Sequence, residues 1–297
     1  MTQETRVARI GIYTDKMVLS VMEQDGEGKS FCLYRKETQE DFLGKHGQAD
    51  QEKLLLEADK MMELSQKLLC DQTVCVGYGL LRYQPDDFRR ELEQSLGIPV
   101  QTVSGIRQAQ AAKSGMMQTS QKDDTVGVFS SDLSTQIFMM DAQEGTEQSF
   151  PIGWRSVAQR YSGIIPNRME EEELRREIRD IFSSIPTLHR GGVSQIRVAG
   201  MDGLHRFVLL LSGSMDKNKE GVVLEQEQLG SILRFLRNPS LHWMPVLEQA
   251  SGVFPQKVFC QLLILESVLK STQAKNVTLC KICLEDHLYK EERLVVK

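Results

Sequence analysis

Cys280-Lys281-Ile282-Cys283 has the spacing of a redox or zinc motif. A redox pair wants its first thiol at a helix N-terminus, and zinc wants a second pair to close a tetrahedron. Here the cysteines close an apolar, strand-like run from Asn276 to Leu284, and no second pair follows. Two partly buried structural thiols are the expectation. His46, His189, His205, His242 and His287 show no ligand spacing. His242-Trp243, between Pro239 and Pro245, reads as a loop packed on a helix, and Gly191-Gly192 as a turn. Gly28-Lys29-Ser30 matches the end of a phosphate-binding P-loop, but the upstream glycine spacing is wrong and a β-turn accounts for it. The acidic run Glu170–Glu173 opens an amphipathic stretch, where acids suit the helix dipole, and reads as a solvated face. The remaining polar groups lie in turns between apolar runs, at Thr14-Asp15 and at Ser130–Asp132.

Those turns are framed by legible elements. Residues 8–13 and 17–22 alternate as a strand pair around the first turn, and 30–35 continues as a third strand. Leu54, Leu55, Ala58, Met61, Met62, Leu64, Leu68 and Leu69 stripe a helix over 51–69. A buried strand is expected at 73–79, then a helix with Pro85 near its start and Gly97 as its C-terminal glycine, a short strand at 100–103 and a helix at 109–117. The polar stretch 118–124 marks a division into domain I, 1–122, and domain II, 123–297. After it the opening pattern recurs: a strand at 125–129, a polar turn, and a strand at 135–140. This repetition points to a duplicated architecture. Further on come a helix at 169–182 with Glu171–Arg175 and Glu172–Arg176 at ion-pair spacing, a strand at 195–199, helices at 225–237 and 257–271, and a last strand at 276–284.

The chain has 297 residues, 40% apolar and 26% charged, enough for one large core or two medium ones. A net charge of -5 with no long basic block argues against a nucleic-acid face. The six cysteines form no disulfide framework. No apolar signal core follows the polar first residues, and no run approaches membrane-spanning length, so a cytoplasmic, membrane-free protein is expected.

An ordered set of motifs resembles the exopolyphosphatase / guanosine pentaphosphatase (Ppx/GppA) family. Val76-Gly77-Tyr78-Gly79-Leu80-Leu81-Arg82 resembles the family's "VATSALR". Gly97-Ile98-Pro99-Val100 and Val103-Ser104-Gly105-Ile106-Arg107-Gln108-Ala109 follow, the latter resembling "ISGxxEA". Thr125 to Gln136 lies where the family has "DIGGGSTE", and Ser149-Phe150-Pro151-Ile152-Gly153 resembles "S-x-PLG". Order and spacing hold along nearly the whole chain. The resemblance implies an α/β fold, a duplicated ribonuclease H-like (actin/sugar-kinase/Hsp70-like) two-domain fold with an inter-domain cleft.

Phosphohydrolysis in that family needs glycine loops to cradle phosphates, a carboxylate for Mg²⁺ and a base for water. The matching positions here depart from this. Gly11 stands for the first-loop Asp and Tyr13 for its Gly, with Thr14 and Asp15 beyond them. Phe129 stands for the second-loop Asp, and Ser131, Asp132 and Leu133 for its glycines. Ser134 and Thr135 persist, the terminal Glu is Gln136, and the base is Gln108. A third glycine loop, near Ala199-Gly200-Met201-Asp202, keeps one clear glycine. A left-handed Leu133 would cost about 1–2 kcal/mol, and Asp132 facing a phosphate about 4 kcal/mol at 4 Å and an effective dielectric of 20. Losing a general base removes roughly 10²–10⁴ in rate. The resemblance, with these losses, implies an inactive or weak relative that binds a small polyanion (polyphosphate or guanosine polyphosphate) or regulates a partner, itself as a homodimer included. Thr14, Asp15, Arg82, Ser104, Arg107, Asp132, Ser134, Thr135 and Gln136 would line the site. The alternative is an active Mg-dependent phosphohydrolase in which Asp132 or Asp15 holds the metal. A kinase of the same fold class would need the glycine loops still more.

Overall fold

A computed structural model of the chain describes residues 5–24, 30–43, 48–117, 125–140, 147–183, 193, 195–213, 221–237, 245, 254–282, 284, 287 and 288. It forms two compact units. One runs to Ser104 and takes in Leu288; the other spans Gly105–His287. The turns expected at 25–29 and 191–192, the polar stretch 118–124, the loop at 242–243, Cys283, His46 and His189 lie outside the described residues.

In the first unit β1 (Thr5–Ile12), β2 (Lys16–Gln24) and β3 (Ser30–Gln39) form an antiparallel meander, and β4 (Gln72–Gly77) and β5 (Val100–Thr102) add in parallel on the other side of β1. The order is β3-β2-β1-β4-β5. Period-2 alternation places Ala8, Ile10 and Ile12 on one face with Met17, Leu19 and Val21. Onto that face pack Leu54, Ala58 and Met61 of α1 (Gln51–Lys67) and Leu92 and Leu96 of α2 (Asp86–Leu96). The Asp50 side chain caps α1 by accepting from the Lys53 amide at 3.1 Å. Gly97 ends α2 as expected, at φ 65°, its amide returning to the Glu93 carbonyl at 2.9 Å.

The second unit repeats this order. β6 (Thr125–Ser130), β7 (Thr135–Met139) and β8 (Gln148–Phe150) form the meander, while β9 (Gln195–Ala199) and β11 (Asn276–Cys280) add in parallel beyond β6. β10 (Gly221–Glu225) pairs antiparallel with β11 at the edge, giving β10-β11-β9-β6-β7-β8. Without that extra edge strand the two sheets have one topology, the duplication that the repeated strand-turn-strand suggested and the ribonuclease H-like order that the resemblance implied. Neither β8 nor β10 was legible as a strand, and the last strand stops at Cys280 rather than reaching Leu284.

Helices of the second unit are α3 (Gly105–Met117), α4 (Trp154–Ala158), α5 (Arg168–Ser183), α6 (Asp202–Leu211), α7 (Gln226–Arg237) and α8 (Pro255–Thr272). α8 is apolar nearly all round and packs against α4, α5, α6 and α7. α3 packs on β6, β7 and β8, and its buried residues are mostly small, Ala109, Ala111 and Ala112 among them. It therefore groups with the second unit, and the units divide after Ser104 rather than at 122/123. On α5, Glu171 pairs with Arg175 as spaced, but Glu172 pairs with Arg168 instead of Arg176.

Burial governs the thiols. Cys75 is pushed up to about 12 by desolvation, and Cys260 to about 12 by desolvation against a hydrogen bond from Tyr161, whereas Cys32 is exposed. At pH 8 a thiol titrating near 12 is thiolate in about one molecule in ten thousand. Native alkylation followed by peptide mapping is expected to label Cys32 within minutes and Cys75 and Cys260 only after denaturation; native labelling of Cys75 contradicts this packing.

Candidate functional site

The hairpin between β6 and β7 carries most of the second-unit candidates and is knit by its own hydroxyls. The Ser131 amide donates to the Ser134 carbonyl at 2.8 Å. Ser131 Oγ donates to the same carbonyl at 3.0 Å and lies 3.1 Å from Ser134 Oγ. Thr135 Oγ1 donates to the Ile152 carbonyl at 2.6 Å, which leaves Ser130 as donor in their 3.1 Å hydroxyl pair. Gln136 Nε2 donates to Ser134 Oγ at 2.9 Å and Ser149 Oγ at 3.3 Å. Ser134, Thr135 and Gln136 are fully buried. Gln136 Oε1 has no partner among the described residues, and a buried acceptor left so costs about 1–3 kcal/mol.

Two glycines let other segments close on this hairpin. A Cβ on Gly153 would stand 2.3 Å from the Asp132 carbonyl oxygen. Because none is there, the start of α4 comes in: the Arg155 amide donates to the Asp132 carbonyl at 2.9 Å and the Trp154 indole Nε1 to Asp132 Oδ1 at 2.6 Å. The Arg155 guanidinium and the Lys257 ammonium sit 4.8 and 5.3 Å from the Trp154 ring centre. Gly200, at φ 79°, brings the turn after β9 against β6; a Cβ there would be 2.3 Å from the Ser130 carbonyl oxygen. Met201 and Asp202 then open α6, and Gln261 Oε1 takes the Leu204 amide at 3.0 Å, closing one open donor of its first turn.

The donor set decides the metal question in this hairpin. Mg²⁺ prefers hard oxygens, carboxylates first. The hairpin offers buried hydroxyls, the Gln136 amide, the Phe129 ring and one carboxylate, which the indole already engages. These residues do not fit Mg²⁺. Among the described residues no group of three His, Cys, Asp or Glu could hold a metal ion. Leu133 is not at positive φ, so the left-handed strain feared at a former glycine is not incurred; the hairpin simply takes another shape.

Thr14 and Asp15 share the corresponding turn of the first unit. The Thr14 carbonyl accepts from the Phe42 amide at 2.9 Å and that of Asp15 from the Glu40 amide at 3.1 Å. Thr14 Oγ1 is buried without a partner among the described residues, beside Gly79. Tyr13, in a glycine's place, stacks on Tyr78 with ring centres 4.4 Å apart and planes at 12°, and Lys16 Nζ lies 5.0 Å from its ring centre. Arg82, half-buried in a 3-10 turn, donates to the Tyr83 hydroxyl at 3.1 Å and lies 4.9 Å from that ring centre. Ser104 and Arg107 are exposed. Gln108 is buried on α3, not a surface glutamine, because this helix turns that side to the sheet. Asp132, Ser134, Thr135 and Gln136 thus share one hairpin and Thr14 and Asp15 one turn, while Arg82 stands on a separate 3-10 turn and Ser104 and Arg107 at the start of α3. Sequence reasoning passed over Trp154, although it directly follows the Pro151-Ile152-Gly153 motif.

Trp154→Phe, which keeps the ring and removes the donor, is expected to cost about 1.5–3 kcal/mol, the worth of a hydrogen bond to a charged group. Gly200→Ala is expected to cost at least about 1–2 kcal/mol from its left-handed backbone alone, more with the Ser130 carbonyl displaced. Urea denaturation measures both, and wild-type midpoints in either variant contradict the geometry.

No protein-family model matches the sequence, and no curated protein matches it by sequence. Solved structures match it in fold. An exopolyphosphatase from Cytophaga hutchinsonii superposes with a TM-score of 0.83 at 14% identity, over 97% of this chain and 97% of that one. The Aquifex aeolicus PPX-GPPA enzyme does so at 0.77 and 14% identity, over 98% of this chain and 100% of its own. An exopolyphosphatase-like protein gives 0.79 at 15% identity over 99% of both chains. What these near-full-length superpositions share with the chain is its fold, and that fold is the Ppx/GppA one.

Proposed function

We propose that the chain is a divergent Ppx/GppA protein that binds a small polyanion, polyphosphate or a guanosine polyphosphate, and does not hydrolyse it at an enzymatic rate. The observation that carries this reading is the hydrogen bond from Trp154 to Asp132. It engages the hairpin's carboxylate, and none of the family's four acids has an acid at its matching position, where Gly11, Phe129, Gln108 and Gln136 stand. An amide does not take a proton from water at neutral pH. Polyanion binding rests on the fold shared with proteins named as exopolyphosphatases, on Thr14, Arg82 and Ser104 at positions of the family's motifs, and on the Arg107 cation beside Gln108.

With turnover lost, the role we assign is regulatory: the bound anion is reported to a protein partner, a second copy of the chain included. No described helix is long and apolar enough to cross a membrane. No disulfide joins the cysteines among the described residues, which fits a reducing compartment, and we place the protein in the cytoplasm.

Phosphate release from polyphosphate and from guanosine pentaphosphate, with and without Mg²⁺, tests the inactivity. Thermal shift with the same compounds tests the binding, since a ligand at one hundred times its Kd adds about 2.7 kcal/mol. Stabilisation without turnover is expected. Mg²⁺-dependent release abolished in Asp132→Ala overturns the reading in favour of the hydrolase; no stabilisation by either compound removes the polyanion.

A further inference from the structure

The second unit holds a cavity of about 800 Å³ between α5, α7, α8 and the segment before α5. It lies away from the β6–β7 hairpin in sequence and shares no residue with it. Along it runs an alternating chain of charges. Arg237 donates through Nε to Glu171 Oε2 at 2.9 Å and through Nη2 to Oε1. Arg175 Nε donates to Glu171 Oε1 at 2.7 Å, and its Nη1 to Glu266 Oε2. Lys270 Nζ lies 2.8 Å from Glu266 Oε1. At the mouth Arg168 Nε donates to Glu172 Oε1 at 3.1 Å.

Donor and acceptor capacity do not balance here. Both oxygens of Glu171 and of Glu266 are taken, so the buried acids are already satisfied. The cations are not: among the described residues Arg237 keeps Nη1, Arg168 keeps both Nη groups, and Lys270 spends one of its three N–H bonds. Arg168, Arg175, Arg237 and Lys270 face Glu171, Glu172 and Glu266, four cations against three anions. The cavity is thus net positive in a chain whose net charge is -5. The side chains that hold the surplus are the accessible ones, Lys270 at 46% and Arg168 at 93% exposure. A purely structural ion-pair cluster needs no concave space beside it. This one lines an open cleft of the size that takes a small organic ligand, with guanidinium forks suited to carboxylate and phosphate alike.

We propose that this cavity is a second site, for a small multivalent oxyanion, separate from the hairpin. Isothermal titration of the full chain with pyrophosphate, and separately with citrate, reads it, the tighter probe showing whether phosphate or carboxylate chemistry is preferred. Lys270→Gln and Arg168→Gln change exposed side chains remote from the hairpin, so they leave the fold intact and report on this cavity alone. Binding of at least one probe, weakened tenfold or more in each variant, is expected. No binding of either probe at millimolar concentration, or affinities less than tenfold weaker in either variant, overturns the proposal.

Discussion

Backbone carbonyls crowd the tip of the β6–β7 hairpin, and two of the segments that meet them do so at glycine. Opposite the Ser130 and Asp132 carbonyls stand Gly200 and Gly153, each at a distance that no Cβ could occupy. Much of the second unit's chemistry follows from this approach. Gly153 sets the start of α4, and with it the indole that reaches Asp132. Gly200 sets the start of α6, whose first turn is then closed by Gln261 from α8. The hairpin, α4, α6 and α8 are locked by contacts a few ångströms long, each satisfying a polar group that burial would otherwise penalise.

A hairpin built this way spends its hydrogen-bonding capacity on itself. Bare glycine amides would point outward and wait for phosphate oxygens. Here the Ser131 amide and the hydroxyls of Ser130, Ser131, Ser134 and Thr135 are joined within the loop or to Ile152. The hairpin's polar side chains serve its own structure. Gln136 shows this most plainly: its nitrogen bridges two serines while its oxygen is buried with no partner among the described residues. The first unit shows the same drift, where Tyr13 and Tyr78 stack over a turn in which the family pattern has glycine.

Local pattern was readable and long-range contact was not. Alternation in Ala8, Ile10, Ile12 and in Val126, Val128 exposed the repeated strand-turn-strand, and Gly97 announced the end of α2, because each signal lies within a few residues. Grouping α3 with the second unit depends on its seat on β6, β7 and β8, which no period within the helix reveals. For the same reason Gln108, a polar residue among alanines, gave no sign of burial. The Asp132–Trp154 bond joins residues 22 apart. Loss of the acids was plain from residue identity, but the use to which Asp132 is put required coordinates. β10 escaped notice as a short edge strand whose one buried residue is Leu224.

The bond between the Trp154 indole and Asp132 is the most direct point of attack. Its Nε1–H resonance can be assigned by its disappearance in Trp154→Phe, then followed by NMR for shift and solvent exchange as Mg²⁺ is added, alone and with polyphosphate. A carboxylate committed to the indole predicts a resonance that stays in place and stays protected throughout. A resonance that moves and exchanges rapidly on adding Mg²⁺ would mean that Asp132 leaves the indole for the metal, contradicting the central claim that this hairpin has given up its metal chemistry.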